Sequence, residues 1–155
     1  MRIEEHQRGE FFISTNKSRI DIDAVHAFLV RSYWAEGIPR ETVERAIAGS
    51  LCFGVFAGQR QIGFARIVSD FATYAYLADV YILEEFQGQG LGKWLMLCVK
   101  GHPDLQGLRR WGLSTRDAHG LYSQYGFRPH SFPGRMMEIL DLDIYKRGRQ
   151  EKPAN

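Results

Sequence analysis

Apolar and polar positions along this chain fall into two rhythms, one repeating every second residue and one every three or four, and glycine, proline or aspartate stands at most of the changes. Phe11, Phe12 and Ile13 open a strand predicted over residues 11–15. Ile22, Val25, Leu29 and Tyr33 then recur at helical spacing behind Asp21 or Asp23, either of which can accept hydrogen bonds from first-turn amides. Pro39, an i,i+4 pair of Glu41 with Arg45, and a stop at Gly49 predict a second short helix over 39–49. Residues 51–56 and 61–68 are rich in aromatic and β-branched side chains around a Gly58–Gln59 turn, and 74–82 continues as a third consecutive strand. Leu91, Trp94, Leu95, Cys98 and Val99 return to the helical rhythm until Gly101 and Pro103 end it. A short strand over 111–115, a helix capped by Asp117 and stopped by Gly126, and a closing strand over 135–140 complete the series. Antiparallel hairpins followed by helix–strand alternation predict an α/β (α+β) fold with a mixed, mostly antiparallel central sheet and helices on both faces.

The junction between the strand ending at Ile82 and the helix beginning near Leu91 carries the most chemistry. Gly88, Gly90 and Gly92 stand at alternate positions, where backbone N–H groups can turn together toward an anion. The helix that follows adds its own unpaired N–H groups and the positive end of its dipole. A dinucleotide fingerprint would need glycine where Lys93 stands and an acidic residue about 20 positions on; a Walker A loop would need glycine at Gln87 and Ser or Thr at Trp94. Spacing therefore leaves Gln87-x-x-Gly90-x-Gly92, which resembles the pyrophosphate loop of the GNAT acetyltransferase superfamily. A second segment, in which Leu121, Tyr122, Tyr125, Gly126 and Phe127 follow one another, resembles the later Tyr-x-x-x-Gly-Phe helix of the same family in the same order.

That resemblance covers roughly residues 20–140 and implies acetyl-CoA as co-substrate. It implies that the backbone of Val80, Tyr81 and Ile82 pairs with the pantetheine arm and polarises the acetyl carbonyl. Gln87, Gly88, Gln89, Gly90, Leu91, Gly92 and Lys93 would hold the pyrophosphate, and Tyr125 would be core or touch the coenzyme. Tyr122 would protonate the departing sulfur, since a phenol stays protonated at neutral pH. Asp79 interrupts an apolar strand, and a carboxylate there needs a partner or a task. It is the leading candidate base, an ion pair with Arg66 is the competing role, a water chain is another route for the proton, and Asp70 is the more exposed alternative base. Tyr33, Trp34 and Glu36, between the first two helices, would wall the acceptor side with Arg66 and Asp70, and Arg116 and His119 stand beside the second motif.

Composition narrows the rest. The 155 residues carry a net charge of +2, too little to argue for nucleic acid, and no apolar run approaches the roughly 18 residues of a membrane span. The five histidines show no metal-ligand spacing, and no Gly-x-Ser-x-Gly elbow is present. Cys52 and Cys98 sit in apolar surroundings as small core residues, and with no signal-peptide pattern they point to a reducing, cytoplasmic setting. The expected domain is 1–145, with a basic, disordered tail over 146–155. The expected activity is transfer of acetyl from acetyl-CoA directly to a primary amine, small and cationic or on a protein or peptide, in a ternary complex; the alternative is a non-catalytic acyl-CoA sensor. No metal, nucleic acid or membrane is expected as partner, and a homodimer is compatible with the sequence.

Overall fold

The computed structural model describes residues 1–147, so the expected basic tail lies, beyond Arg147, outside the described residues. Six strands form one sheet in chain order: β1 (Glu5–Arg8), β2 (Phe11–Ser14), β3 (Leu51–Ala57), β4 (Arg60–Ser69), β5 (Tyr74–Ile82) and β6 (Arg110–Leu113). Neighbours from β1 to β5 run antiparallel and β6 runs parallel to β5, giving the mixed sheet that the alternation of elements predicts. Along β3 the side chains of Leu51, Phe53 and Val55 enter one core and Cys52 enters the other. That is the period-two alternation of a strand buried on both faces.

Helices α1 (Ile22–Leu29) and α2 (Arg40–Ala48) cover one face, with Val25, Leu29, Val43 and Ile47 against Cys52, Phe64 and Tyr81. Helix α3 (Leu91–Gly101) and the single turn α4 (His119–Ser123) cover the other, where Leu95, Met96 and Val99 lie fully buried against Phe53 and Ile67.

Several local expectations are corrected. Strand β1 was not anticipated because its sequence is polar and exposed; it forms by hairpin pairing with β2 around Gly9, whose φ of 58° suits glycine. Helix α1 stops at Leu29, so Tyr33 lies in the following loop, where the Ser32 hydroxyl donates to the Leu29 carbonyl and accepts from the Ala35 N–H. Asp21, rather than Asp23, caps that helix through the Ala24 N–H at 3.0 Å. On α2 the ion pair is Arg40 with Glu44, not Glu41 with Arg45, and Arg40 also reaches Asp23. Thr115 Oγ1, not Asp117, accepts the Ala118 N–H ahead of α4. The closing strand is not formed: a turn over Pro133–Arg135 leads into an irregular segment with Met137 and Ile139 fully exposed, because no sheet edge lies against it to supply ladder partners.

Candidate active site

The sheet is disturbed where β5 faces β4. Arg66 pairs with Ala78 and Phe64 with Tyr81, so Asp79 and Val80 together oppose Ala65 in a β-bulge. Asp79 takes the extra curvature with φ of 53°, a left-handed conformation that aspartate tolerates better than most residues. On its other side β5 pairs with β6 only from Tyr74 to Leu77, so residues 78–82 leave that side of the strand without a ladder partner. The two parallel strands thus separate at the bulge, and a cleft of about 780 Å³ opens there, with Trp34, Arg66, Asp79, Val80 and Tyr122 in its wall.

Each wall residue has an identifiable partner or lack of one. Arg66 Nε donates to Asp79 Oδ2 at 2.7 Å, and Arg66 Nη1 also donates to the Ser50 hydroxyl at 3.2 Å. The second oxygen, Asp79 Oδ1, accepts from the Trp34 indole N–H at 3.0 Å. Tyr33 stacks its ring edge on Trp34, lies under the Arg116 guanidinium at 3.8 Å, and accepts the Arg116 N–H with its hydroxyl at 3.3 Å. The loop after α1 is therefore tied to the bulge on one side and to the segment after β6 on the other. Tyr122 is buried as a ring, but among the described residues its hydroxyl has no hydrogen-bond partner, and it faces the cleft. Burial, with Tyr33 and Asp117 nearby, pushes its phenol up to about 12.

The glycine loop follows the C-terminal end of β5, just beyond the bulge. Gly88 and Gly90 have φ of 81° and 80°, and a side chain added at either, or at Gly92, would enter open space. Gly90 is the N-cap of α3 and offers no side-chain acceptor, so the N–H groups of Leu91, Gly92 and Lys93 in the first turn lack partners within the helix. Gln87 does not reach outward: its amide donates to the Ile82 carbonyl at 2.9 Å and braces the loop against the end of β5. Tyr125 ties α4 to the same place, its hydroxyl donating to the Lys93 carbonyl at 3.0 Å. Exposed, unpartnered N–H groups at a helix N-terminus carry the charge that suits an anionic group.

The family model for the acetyltransferase (GNAT) domain matches residues 48–129, from the start of the central hairpin through the end of the second motif. This chain belongs to the GNAT acetyltransferase family. A candidate acetyltransferase from Gibberella zeae is 31% identical over 140 residues, covering 76% of this chain and 78% of its own. A candidate GNAT acetyltransferase from Xanthomonas campestris pv. campestris is 49% identical, covers 90% of this chain and 99% of its own, and superposes with a TM-score of 0.86. A Clostridium acetobutylicum protein whose structure is described with acetyl-CoA shares the fold at a TM-score of 0.60 and 14% identity, over 90% of this chain and 95% of its own. The chain is thus an acyltransferase by family.

The expected residues do not all converge. Asp79, Val80, Arg66, Tyr33, Trp34 and Tyr122 share the cleft, as does Arg116. Asp70 does not: its carboxylate accepts from the N–H groups of Ala72, Thr73 and Tyr74 and from the Thr73 hydroxyl, which hold it well below the usual carboxylate range and fix the β4–β5 turn. His119 and Glu36 are exposed away from the cleft wall. Tyr81 turns its ring into the α1 side of the core, stacked on Phe28 at 3.7 Å, which leaves only its backbone for the cleft. Missed at sequence level were the bulge itself, Asp117, and residues Glu138, Leu140 and Leu142 of the final segment, which complete the wall. Asp79, an acid in an apolar strand, marked the place in the sequence but not the bulge. Among the described residues no group of three or more His, Cys, Asp or Glu could hold a metal ion. No described helix is long and apolar enough to cross a membrane.

Proposed function

We propose that this GNAT protein transfers acetyl from acetyl-CoA to the primary amine of a small acceptor, with both substrates in the cleft together. The observation that carries the reading is the bulge together with the stretch of β5 beside it that has no ladder partner toward β6, since the cleft at that point has Tyr122 in its wall and the amide-rich turn before α3 follows the end of β5. A coenzyme anchored by its diphosphate at 88–93 and running along β5 would bring its thioester to the same point. The Clostridium protein described with acetyl-CoA has the same fold, which supports acetyl-CoA as the donor.

Bound there, the thioester supplies an activated acyl group. A backbone N–H at Val80 or its neighbours would donate to the carbonyl oxygen as negative charge develops on it, and such preformed donors are worth several kcal/mol where water is excluded. A neutral amine attacks the carbonyl carbon, the C–N bond forms, the C–S bond breaks, and Tyr122 gives its proton to the sulfur. The amine's own proton passes to water in the cleft and the phenolate recovers a proton from solvent. We assign Asp79 to positioning rather than proton removal, because both its oxygens already accept hydrogen bonds from Arg66 and Trp34. The aromatic pair Tyr33–Trp34, with the carboxylates of Asp117 and Glu138 in the wall, favours an acceptor that approaches as a cation.

The test is thiol release from acetyl-CoA across a panel of diamines, polyamines, amino acids and short peptides, with product masses. An acetylated amine is expected, with small cationic acceptors ranking first. Coenzyme binding without turnover on any amine would make the protein an acyl-CoA sensor and overturn the reading.

A further inference from the structure

Five charged side chains line the cleft, and only two of them cancel. Arg66 and Asp79 are paired with each other at 2.7 Å and present no net charge to a ligand. Arg116, Asp117 and Glu138 form no ion pair with any described residue. The free charges of the wall are therefore one guanidinium and two carboxylates. Tyr33 places the guanidinium: Arg116 lies 3.8 Å over the Tyr33 ring, and its backbone N–H donates to the Tyr33 hydroxyl at 3.3 Å. Stacking covers a face of the planar group and leaves its N–H edge open, and among the described residues that side chain has no hydrogen-bond acceptor.

A guanidinium fixed in this way matches a carboxylate, which accepts two parallel hydrogen bonds from it. Two carboxylates in the same wall disfavour a doubly charged phosphate there and suit ammonium groups. Arg116 also stands with Tyr33 and Trp34, whereas none of residues 88–93 lines this cleft, so its anion belongs to the acceptor and not to the diphosphate of the coenzyme. We propose that Arg116 reads a carboxylate on the acceptor, so that the amine acetylated belongs to an amino acid, and that a diamino acid such as lysine or ornithine is the class that answers all three free charges. One carboxylate and two ammonium groups complement one guanidinium and two carboxylates. The inference rests on the acetyl-transfer reading for the fate of the amine; the carboxylate itself takes no part in the bond changes.

The test pairs acceptors that differ only in the carboxylate: free lysine against cadaverine, and ornithine against putrescine. Each is measured for acetyl transfer and, separately, for binding to the coenzyme A-bound protein by calorimetry. The wild type should favour lysine over cadaverine by about 10–100-fold in kcat/KM and in Kd, the range expected of a charge-assisted, two-pronged pair in a partly wet cleft. Arg116→Gln should erase most of that ratio, and Arg116→Lys, which keeps the charge without the fork, should restore only part of it. A purely structural role through Tyr33 would slow both acceptors together and leave the ratio standing, which would overturn the proposal. So would equal binding of lysine and cadaverine to the wild type, no measurable binding of either diamino acid, a preference for phosphoethanolamine over lysine, or an Arg116→Gln protein that loses coenzyme A affinity and keeps the preference. Lysine binding that depends on Arg116, with no turnover of any amine, would instead uphold the carboxylate site and sink the acetyl-transfer reading.

Discussion

Arg66 Nε stands 2.7 Å from Asp79 Oδ2 across the bulge that parts β5 from its regular register, joining the strand that bends to the strand that does not. The Arg66 and Asp79 side chains are 19% and 10% exposed, so removing one leaves the other largely out of water. Arg66→Met should destabilise by roughly 2–4 kcal/mol, somewhat below the cost at a fully buried pair because some solvent remains. Asp79→Asn keeps a side chain suited to positive φ, and the double variant should recover much of the loss by removing both charges. Urea titrations of the four proteins give the coupling, and a double variant as unstable as the sum of the singles would show that the pair is not what holds the bulge.

Gly90 and Gly92 look alike in the sequence and differ in the backbone. Gly90 has φ of 80° and caps α3, whereas Gly92 lies inside the first turn with ordinary φ and nothing near its absent Cβ. Gly92→Ala should therefore raise stability by about 0.5–1 kcal/mol, and Gly90→Val should lower it through strain at the cap. Coenzyme A at about 100 times its dissociation constant should add roughly 2.7 kcal/mol to the wild type, and Gly90→Val should abolish that increment if the loop binds the diphosphate. Thermal shifts with coenzyme A, ATP and NADH check this. A full coenzyme A shift in a folded Gly90→Val protein, or a larger one with ATP, would remove the loop from the site.

What could be read from the sequence divides along the range of the interactions. Helix α3 was legible because Leu91, Leu95 and Cys98 repeat within a few residues, and the glycine loop because Gly88 to Gly92 are contiguous. The bulge was not, because it exists only as a mismatch between Phe64–Arg66 and Ala78–Tyr81, a property of two strands in register. Trp34 and Asp79 are 45 positions apart, and only the fold shows that the acceptor-side loop hydrogen-bonds the bulge directly. Residues 135–140 have the alternation of a strand, yet alternation states which faces a segment would present and not whether an edge is there to receive it.

The buried thiols should be the first groups to erode stability at alkaline pH, ahead of the buried phenols of Tyr81 and Tyr122, which burial also pushes up. Cys52 is wholly buried and its thiol is pushed up by burial from 9.0 to about 12, against the smaller opposing pull of Lys17 and Arg66. Cys98 is raised to about 11 for the same reason. The folded state keeps these protons at pH values where the unfolded chain has lost them. The stabilisation is therefore complete below about pH 9 and falls as pH rises, by about 1.4 kcal/mol per pH unit for each such group until its folded value is reached. Cys52→Ala costs packing at every pH, so the slope and not the level is diagnostic. Urea midpoints should decline less steeply between pH 9 and 11 in that variant, and parallel declines would assign the alkaline sensitivity elsewhere.

Tyr122 gives the sharpest division between packing and chemistry. Tyr122→Phe keeps the ring that packs against Phe127 at 6.0 Å and deletes a hydroxyl with no partner among the described residues, so the melting temperature and coenzyme affinity should hardly move. If the phenol protonates the departing sulfur, kcat should fall by about 10²–10⁴-fold, the usual worth of a general acid. The pH profile carries a second signature. With the phenol raised to about 12, the protonated form predominates through neutral and moderately alkaline pH. No alkaline loss of kcat from this group should appear below about pH 10, although an unshifted tyrosine near 10 would already be half ionised there. Rates for wild type and Tyr122→Phe should accordingly run parallel with pH and differ by a constant factor. Equal rates with a good acceptor would return Tyr122 to the core, and an alkaline limb centred near pH 10 that vanishes in Tyr122→Phe would mean that the occupied cleft lowers this phenol instead of leaving it raised.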